Sequence, residues 1–289
     1  MSCIPSLDHI IILVPHASLK SLPASLSSAF TIYSGGTHAD NKTTNSLVLL
    51  KSGVYLEFIA FVEDDVDRKE GHWWGTKTTG SIIDFALTSG GVGDVEGVRR
   101  KLAALEDEKE GGKVVVGYRD SKRGGRKRPD GVDVEWDVTF ATSSIERGTV
   151  PFWCHDVTER EVRVPIESAE GATRHPCRAV GVSKVVLVVA SDSFEGLQRV
   201  YAKICGKEGV QGVHGEVVFE ILQPVAGSSP SSLVLRKAEG VEEKAVVGKN
   251  GGIAGIWEVV LAVEGSLPSP IHEKIEDGII RIGFEKIGD

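Results

Sequence analysis

Residues 7–14 read Leu7-Asp8-His9-Ile10-Ile11-Ile12-Leu13-Val14, and residues 54–61 read Val54-Tyr55-Leu56-Glu57-Phe58-Ile59-Ala60-Phe61. Each run is apolar, rich in β-branched or aromatic residues and of strand length. Each also carries a polar group that a buried strand rarely tolerates, His9 in the first and Glu57 in the second. Between them lie Gly35-Gly36-Thr37-His38 and Thr43-Thr44-Asn45. A His opening one apolar strand and a Glu midway along another can set a metal-ligand pair, or a polar clamp for a substrate, on the concave face of a small curved sheet.

Working outward, the same order of elements recurs. Unit one has a strand near 7–14, a helix near 17–30 and strands near 46–51 and 53–62. Unit two has a strand near 81–88, a helix near 94–106 and strands near 114–118, 132–140 and 149–155. Unit three opens with the Val-rich run 182–189, followed by a helix near 192–205 and strands near 216–223 and 231–237. The tail adds apolar runs at 256–263 and 279–284. One helix per unit among several short strands predicts an α+β fold of repeated βαβββ modules in a curved, cup-shaped mixed sheet. Glu167–Cys177 reads as a linker between a domain over 1–165, with modules at 7–62 and 80–157, and a C-terminal module over 178–289. Ala226–Ser232 and Glu239–Gly252 read as loops.

The composition bounds the function. The chain has 289 residues, 41% hydrophobic and 26% charged, which is ordinary for a globular protein with a sizeable core. A net charge of −8 argues against general nucleic-acid binding, which needs a basic face. No apolar run approaches the ~20 residues of a membrane helix, and Met1–Pro5 does not open like a secretory signal. The four cysteines, Cys3, Cys154, Cys177 and Cys205, show no CxxC spacing, so neither a zinc ribbon nor a disulfide framework is indicated. A reduced, cytoplasmic protein is the expectation.

Several constellations carry candidate chemistry beside a structural alternative. His9 and Glu57 together suit Zn, Ni, Mn or Fe; a hydrogen-bonded His–Glu pair would satisfy both groups equally well. His38, Thr44 and Asn45 follow two glycines, and either bind a polar ligand or serve turn and strand-cap chemistry. His72-Trp73-Trp74-Gly75 either floors a pocket with Trp73 or seals a module junction. Arg119, Lys122, Arg123, Arg126, Lys127 and Arg128 form a basic loop between two β segments, readable as a nuclear-localisation-like run, an anion-binding lip or simply solvated. Arg128-Pro129-Asp130-Gly131 reads as a tight turn into a strand on which Val132, Val134, Trp136 and Val138 share one face. In Phe152-Trp153-Cys154-His155, Cys154 and His155 point to opposite faces, which disfavours a Cys–His dyad. Trp153 is a candidate pocket wall, and His155 a candidate base or ligand.

The segments at 7–16, 35–50, 54–61, 72–75, 126–138 and 150–157, taken in that order, resemble the vicinal oxygen chelate superfamily, and within it the glyoxalase-like domain proteins, in a form associated with fungi. The resemblance covers a little over half the chain. It implies two βαβββ modules forming a cup around a ligand cavity, with a divalent metal held by a His or Gln and a Glu from each module. His9 and Glu57 take those positions in the first module. The second departs: Ile83 or Asp84 stands where a His is expected, and aligning 54–61 with 150–157 sets Glu57 opposite Trp153 and Ile59 opposite His155. In the third unit Lys184 stands at the His9 position and Glu220 at that of Glu57, so it reads as a degenerate copy.

Two functions follow. In one, a metal held by His9 and Glu57 polarises vicinal oxygens of a small carbonyl or enol substrate. Glu57 or His155 then moves a proton, and His38, Thr44, Asn45, Trp73, Trp153 and Arg128 bind the substrate, giving a lyase or isomerase. In the other, a metal-free cup sequesters a small, aromatic or oxygenated molecule without catalysis. The separation of the His9 ring from the Glu57 carboxylate decides whether one metal can join them: beyond about 4 Å, two bonds of ~2.1 Å cannot reach. An exposed edge on the third unit would suit a homodimer.

Overall fold

The structure is a computed structural model that describes residues 4–107, 114–142 and 144–287. Its first half holds β1 (Ser6–Leu13), α1 (His16–Lys20), α2 (Ala24–Ser27), β2 (Tyr33–His38), β3 (Thr43–Leu49), β4 (Tyr55–Phe61), α3 (Val66–Lys69), β5 (Ser81–Thr88), α4 (Gly93–Asp107), β6 (Lys122–Lys127), β7 (Asp133–Thr139), β8 (Phe152–Asp156) and α5 (Arg160–Arg163). The second half holds β9 (Ala179–Val189), α6 (Phe194–Cys205), β10 (Val210–Gln211), β11 (Val217–Ile221), β12 (Ser231–Lys237), α7 (Val241–Lys249), β13 (Ala254–Val263), β14 (Ile271–Ile275) and β15 (Gly278–Lys286). The fold is α+β, built from βαβββ modules. No helix among the described residues is long and apolar enough to cross a membrane.

The first two modules close into a barrel in the order β1-β4-β3-β2-β6-β7-β8-β5. Within each module the first and last strands run parallel, and the modules join through the antiparallel pair β1–β5. The opposite seam is short, pairing only Thr37 with Lys127 and His38 with Arg126. Alternation along the strands then sorts the side chains. Ile10, Ile12, Leu56, Phe58 and Phe85 point outward into the main core, while Ile11, Leu13, Ile59, Phe61 and Ala86 point into the barrel.

Residues 160–172, which run from α5 into the segment read as a linker, stopper one end of this barrel. Val164 and Ala172 pack on Leu47, Leu49 and Tyr55, and Arg163 is buried.

Four expectations are corrected. The helix near 17–30 is two short helices, each preceded by proline (Pro15 and Pro23). The strand near 114–118 is a single bridge from Tyr118 to Ala141, and the basic segment supplies β6 instead. The expected loop 239–252 contains α7. The C-terminal half holds two β-units rather than one. β9 pairs antiparallel with β13 as β1 does with β5, and β12 and β15 run parallel to β9 and β13. The last unit has no helix after its first strand, because Glu264-Gly265-Ser266-Leu267-Pro268-Ser269-Pro270 crosses directly to β14. Its sheet stays open, in the order β10-β11-β12-β9-β13-β15-β14.

Candidate functional site

The barrel encloses a cavity of about 290 Å³. Its polar wall comes from the first module. His9 leads in from β1, Asn45 from β3, Glu57 from β4 and His38 from the end of β2, because these positions share the inward face. The other wall, mostly from the second module, is largely apolar: Trp136, Val138, Phe140, Phe152 and Cys154, with Trp73 at the rim. Trp73 is 40% exposed, whereas Trp74 is buried and donates its indole N–H to Asp84 at 2.9 Å.

Glu57 is the centre of the polar wall. Its Oε2 lies 3.5 Å from His9 Nε2 and its Oε1 lies 3.7 Å from His38 Nε2. Asn45 Nδ2 donates to Oε1 at 2.6 Å. That bond fixes the amide orientation and leaves Asn45 Oδ1 buried without a partner. The Asn45 side chain has room because residue 35 is glycine: a Cβ there would stand 1.9 Å from Oδ1 and 2.8 Å from the Asn45 carbonyl oxygen. Gly35→Ala therefore has to push the Asn45 amide or the strand aside. We expect a destabilisation of about 1–3 kcal/mol, the usual range for overpacking, read by urea unfolding. An unchanged midpoint would mean the site adapts freely.

Behind His9 lies a buried ion cluster. Asp8 is fully buried on the next position of β1 and accepts from His9 Nδ1 at 2.8 Å. A carboxylate has no proton to give, so Nδ1 carries the hydrogen and, in the neutral ring, Nε2 directs a lone pair toward Glu57. Arg163 forks onto both Asp8 oxygens at 2.8 and 2.9 Å, and Arg160 adds a contact at 2.6 Å. Burial alone would raise the Asp8 carboxyl, but Arg163, Arg160 and His9 outweigh it and hold it well below the usual carboxylate range. His38 donates to or accepts from Thr43 Oγ1 through Nδ1 at 2.6 Å, and burial lowers its pKa, which favours the neutral ring.

Asp8, His9 and Cys154 also approach one another as closely as ligands of one cation would. Arg163 Nη1 already sits there, 2.8 Å from Asp8 and 3.4 Å from Cys154 Sγ, and burial pushes the Cys154 thiol up. A guanidinium stands where that cation would go. His9 Nε2 and Glu57 Oε2 are the better pair. They share a face, they are within the reach of one metal, and the Asp8 carboxylate behind His9 is the usual support for a metal-binding imidazole.

The remaining expected site residues lie elsewhere. Trp153 and His155 face away from the cavity: Trp153 is buried in the main core, and His155 Nε2 pairs with Ser89 Oγ at 2.9 Å. The strand register explains the difference. β1 and β5 are of equal length, so His9 corresponds to Asp84 and Ile11 to Ala86. Ile11 pairs with Glu57 and Ala86 with Phe152. Glu57 therefore matches Phe152, one residue from Trp153, and a slip of one turns every side chain to the other face. Asp84, the counterpart of His9, is fully buried and held by Trp74. Thr44 points outward and donates to the Gly36 carbonyl at 2.9 Å; its neighbour Thr43 faces in. Arg128 is tied to Asp130 and the Val162 carbonyl rather than to the cavity. In the C-terminal half, Lys184 pairs with Glu285 and exposed Glu220 with Lys207, so these two positions do not form a counterpart of the His9–Glu57 pair.

The sequence reading missed the part played by Asp8, Tyr55, Arg163 and Trp136, and put Arg126 in a loop. Tyr55 stacks on His9 with centroids 4.7 Å apart, and its hydroxyl oxygen accepts from Arg163 Nη1 at 3.0 Å. Trp136 meets His38 edge-on at 5.8 Å.

No curated protein sequence matches the chain. Among solved structures, a hypothetical protein from Staphylococcus aureus is similar at a TM-score of 0.65 and 14% identity, over 98% of this chain and 100% of the other. A mutant of 4-hydroxymandelate synthase from Streptomyces coelicolor is similar at 0.46 and 14%, over 91% and 72%. A halotolerant catechol dioxygenase is similar at 0.42 and 9%, over 99% and 88%. The family model described as a glyoxalase-like domain matches residues 7–204. That span takes in both modules of the barrel, the stopper segment and the first strand and helix of the C-terminal half, and on it the chain belongs to the glyoxalase-like domain family.

Proposed function

We propose that the barrel binds a small planar molecule with vicinal oxygens, of the carbonyl or enol type, and that Glu57 exchanges a proton with it, making the chain a lyase or isomerase. The observation that carries this is a buried carboxylate between two imidazole Nε2 atoms on the polar wall of a cavity whose facing wall is rich in aromatic side chains. At ~290 Å³ the space lies near the lower limit of ligand pockets, which suits a single-ring or smaller substrate. Asn45 holds the Glu57 carboxylate in place, Asp8 fixes the His9 tautomer, and Trp136 and Phe152 keep bulk water from the reacting atoms. His38, whose pKa burial lowers, lies 3.7 Å from the other carboxylate oxygen and would take a proton from that side. His9 and Glu57 would hold a divalent metal of the Zn, Ni, Mn or Fe kind, which when bound supplies Lewis-acid stabilisation of developing oxygen charge.

A second reading is a metal-free binding protein. It is favoured by the second half-site, where Phe152 replaces the partner of Glu57 and Asp84 is taken up by Trp74. Elemental analysis of the purified chain separates the two. The enzyme reading expects close to one divalent metal per chain, removed by a chelator and lost in His9→Ala with the fold intact. A metal-free wild-type chain that refuses added Zn, Ni, Mn and Fe would leave the binding protein.

A further inference from the structure

We propose that Arg126 is an anion receptor in the barrel, and that the molecule the cavity takes carries a carboxylate. This rests on the reading of the barrel as a small-molecule site and names the chemistry of its ligand.

Arg126 is 4% exposed and lines the cavity from β6, beside His38 across the barrel seam. Its Nη2 donates to the Arg163 carbonyl oxygen at 2.9 Å, which fixes the guanidinium plane. Its Nη1 is fully buried and has no hydrogen-bond partner. Among the described residues no carboxylate forms an ion pair with it, whereas Arg163 and Arg160 on the neighbouring stopper are each paired with Asp8 and Asp156. Burying a cation costs several kcal/mol unless an anion and hydrogen bonds compensate it. Capping one backbone carbonyl does not need a charge, and the Glu57 carboxylate on the same lining attracts Arg126 without forming an ion pair with it, so the Nη1 donor stays unmet. A ligand oxyanion in the cavity supplies the missing acceptor and an anion in direct contact, and guanidinium is the side chain best matched to a carboxylate. With the Glu57 carboxylate already on the same lining, a monoanion such as a carboxylate is favoured over a dianion such as phosphate. Asn45 Oδ1, also buried and unpartnered on the same lining, offers an acceptor for a ligand O–H.

The test uses the full chain, with tryptophan fluorescence reporting from Trp73 and Trp136. Benzoate and benzamide are the probes, since they share shape and differ in charge. We expect wild-type protein to bind benzoate about tenfold or more tightly than benzamide, as a charged hydrogen bond of ~1.5–3 kcal/mol implies. Arg126→Gln should remove that preference by weakening benzoate alone, and Arg126→Lys should keep part of it. Equal binding of both probes by the wild type, or a preference that survives in Arg126→Gln, overturns the anion receptor and leaves the cavity as a neutral-ligand site. A preference abolished by EDTA in the wild type assigns the anion to a metal and also overturns it. If both variants stay folded and lose benzamide as well as benzoate, Arg126 is a structural group. Failure of the wild type to bind either probe would sink the small aromatic site and the receptor together.

Discussion

Arg163→Met should destabilise the chain by about 3–5 kcal/mol, the usual cost of leaving one partner of a buried ion pair uncompensated. Arg163 is 2% exposed and serves two carboxylates at once: its fork closes on Asp8, and its Nε reaches Asp156 at 2.5 Å. Without it, Asp8 keeps only Arg160 and His9. Met has nearly the same length, so the packing over Tyr55 and Cys154 survives and the electrostatic loss is what unfolding reads. The coupling is checked by adding Asp8→Asn. In the double variant no charge is stranded at Asp8, so part of the lost stability returns, as a double-mutant cycle of contacting residues should show. Urea midpoints of the four proteins decide it. Strictly additive losses would mean that the fork contributes nothing as a pair. The pH dependence follows from the same cluster. Asp8 titrates in the folded chain well below its unfolded value near 3.8, so its stabilisation is complete above that value and drains away as pH falls below it. In Arg163→Met the folded value rises toward the unfolded one, so acid unfolding begins at a higher pH than in the wild type.

This cluster also marks where reading the sequence stops. Asp8 stands beside His9 in a run that fixes β1, yet nothing in that run shows that an arginine about 150 positions away will reach it. Long-range ion pairs have no period. Module order, the βαβββ repeat and the inward parity of His9 and Glu57 were legible, because strand alternation is local and has a period of two. The second module shows how narrow that legibility is. Residues 150–157 have the right apolar content for the final strand, but pattern alone could not choose between Phe152 and Trp153 as the counterpart of Glu57. The structure resolves it through the Ala86–Phe152 pairing. The basic segment failed for another reason. Lys122-Arg123-Gly124-Gly125-Arg126-Lys127 has almost no β propensity, and its strand state is imposed by pairing on both sides, with β2 and β7. One local signal was available: a turn such as Arg128-Pro129-Asp130-Gly131 ahead of a strand is compatible with a hairpin, which β6 and β7 form. Helix α7 was hidden because its sequence, Val241–Lys249, lies in a charged stretch and only Val247 is buried.

Glu57→Gln should have the opposite sign to Arg163→Met on stability and the larger consequence for function. Both Asp8 and Glu57 are buried carboxylates, but Glu57 has no arginine or lysine within ion-pair distance among the described residues. Its neighbours are two imidazole nitrogens at 3.5 and 3.7 Å and the Asn45 amide. A carboxylate left this way is a cost to folding that a structural role does not explain. Sites of that kind persist where charge is needed for chemistry, and neutralising them relieves strain at the expense of activity. The Gln variant keeps the volume and can still accept from Asn45, so its unfolding free energy should be unchanged or higher by about 1–2 kcal/mol, toward the lower end of the gain seen when buried charge is removed. Any divalent metal that the wild type binds should drop to near zero, since His9 alone is a weak site. Any proton transfer that the wild type catalyses should slow by about 10²–10⁴-fold, the usual contribution of a positioned acid–base group. Calorimetry or urea unfolding gives the first quantity and elemental analysis the second. A variant that is destabilised by several kcal/mol and keeps its metal would make Glu57 a structural partner of His9, and would remove the reason for placing chemistry in the barrel.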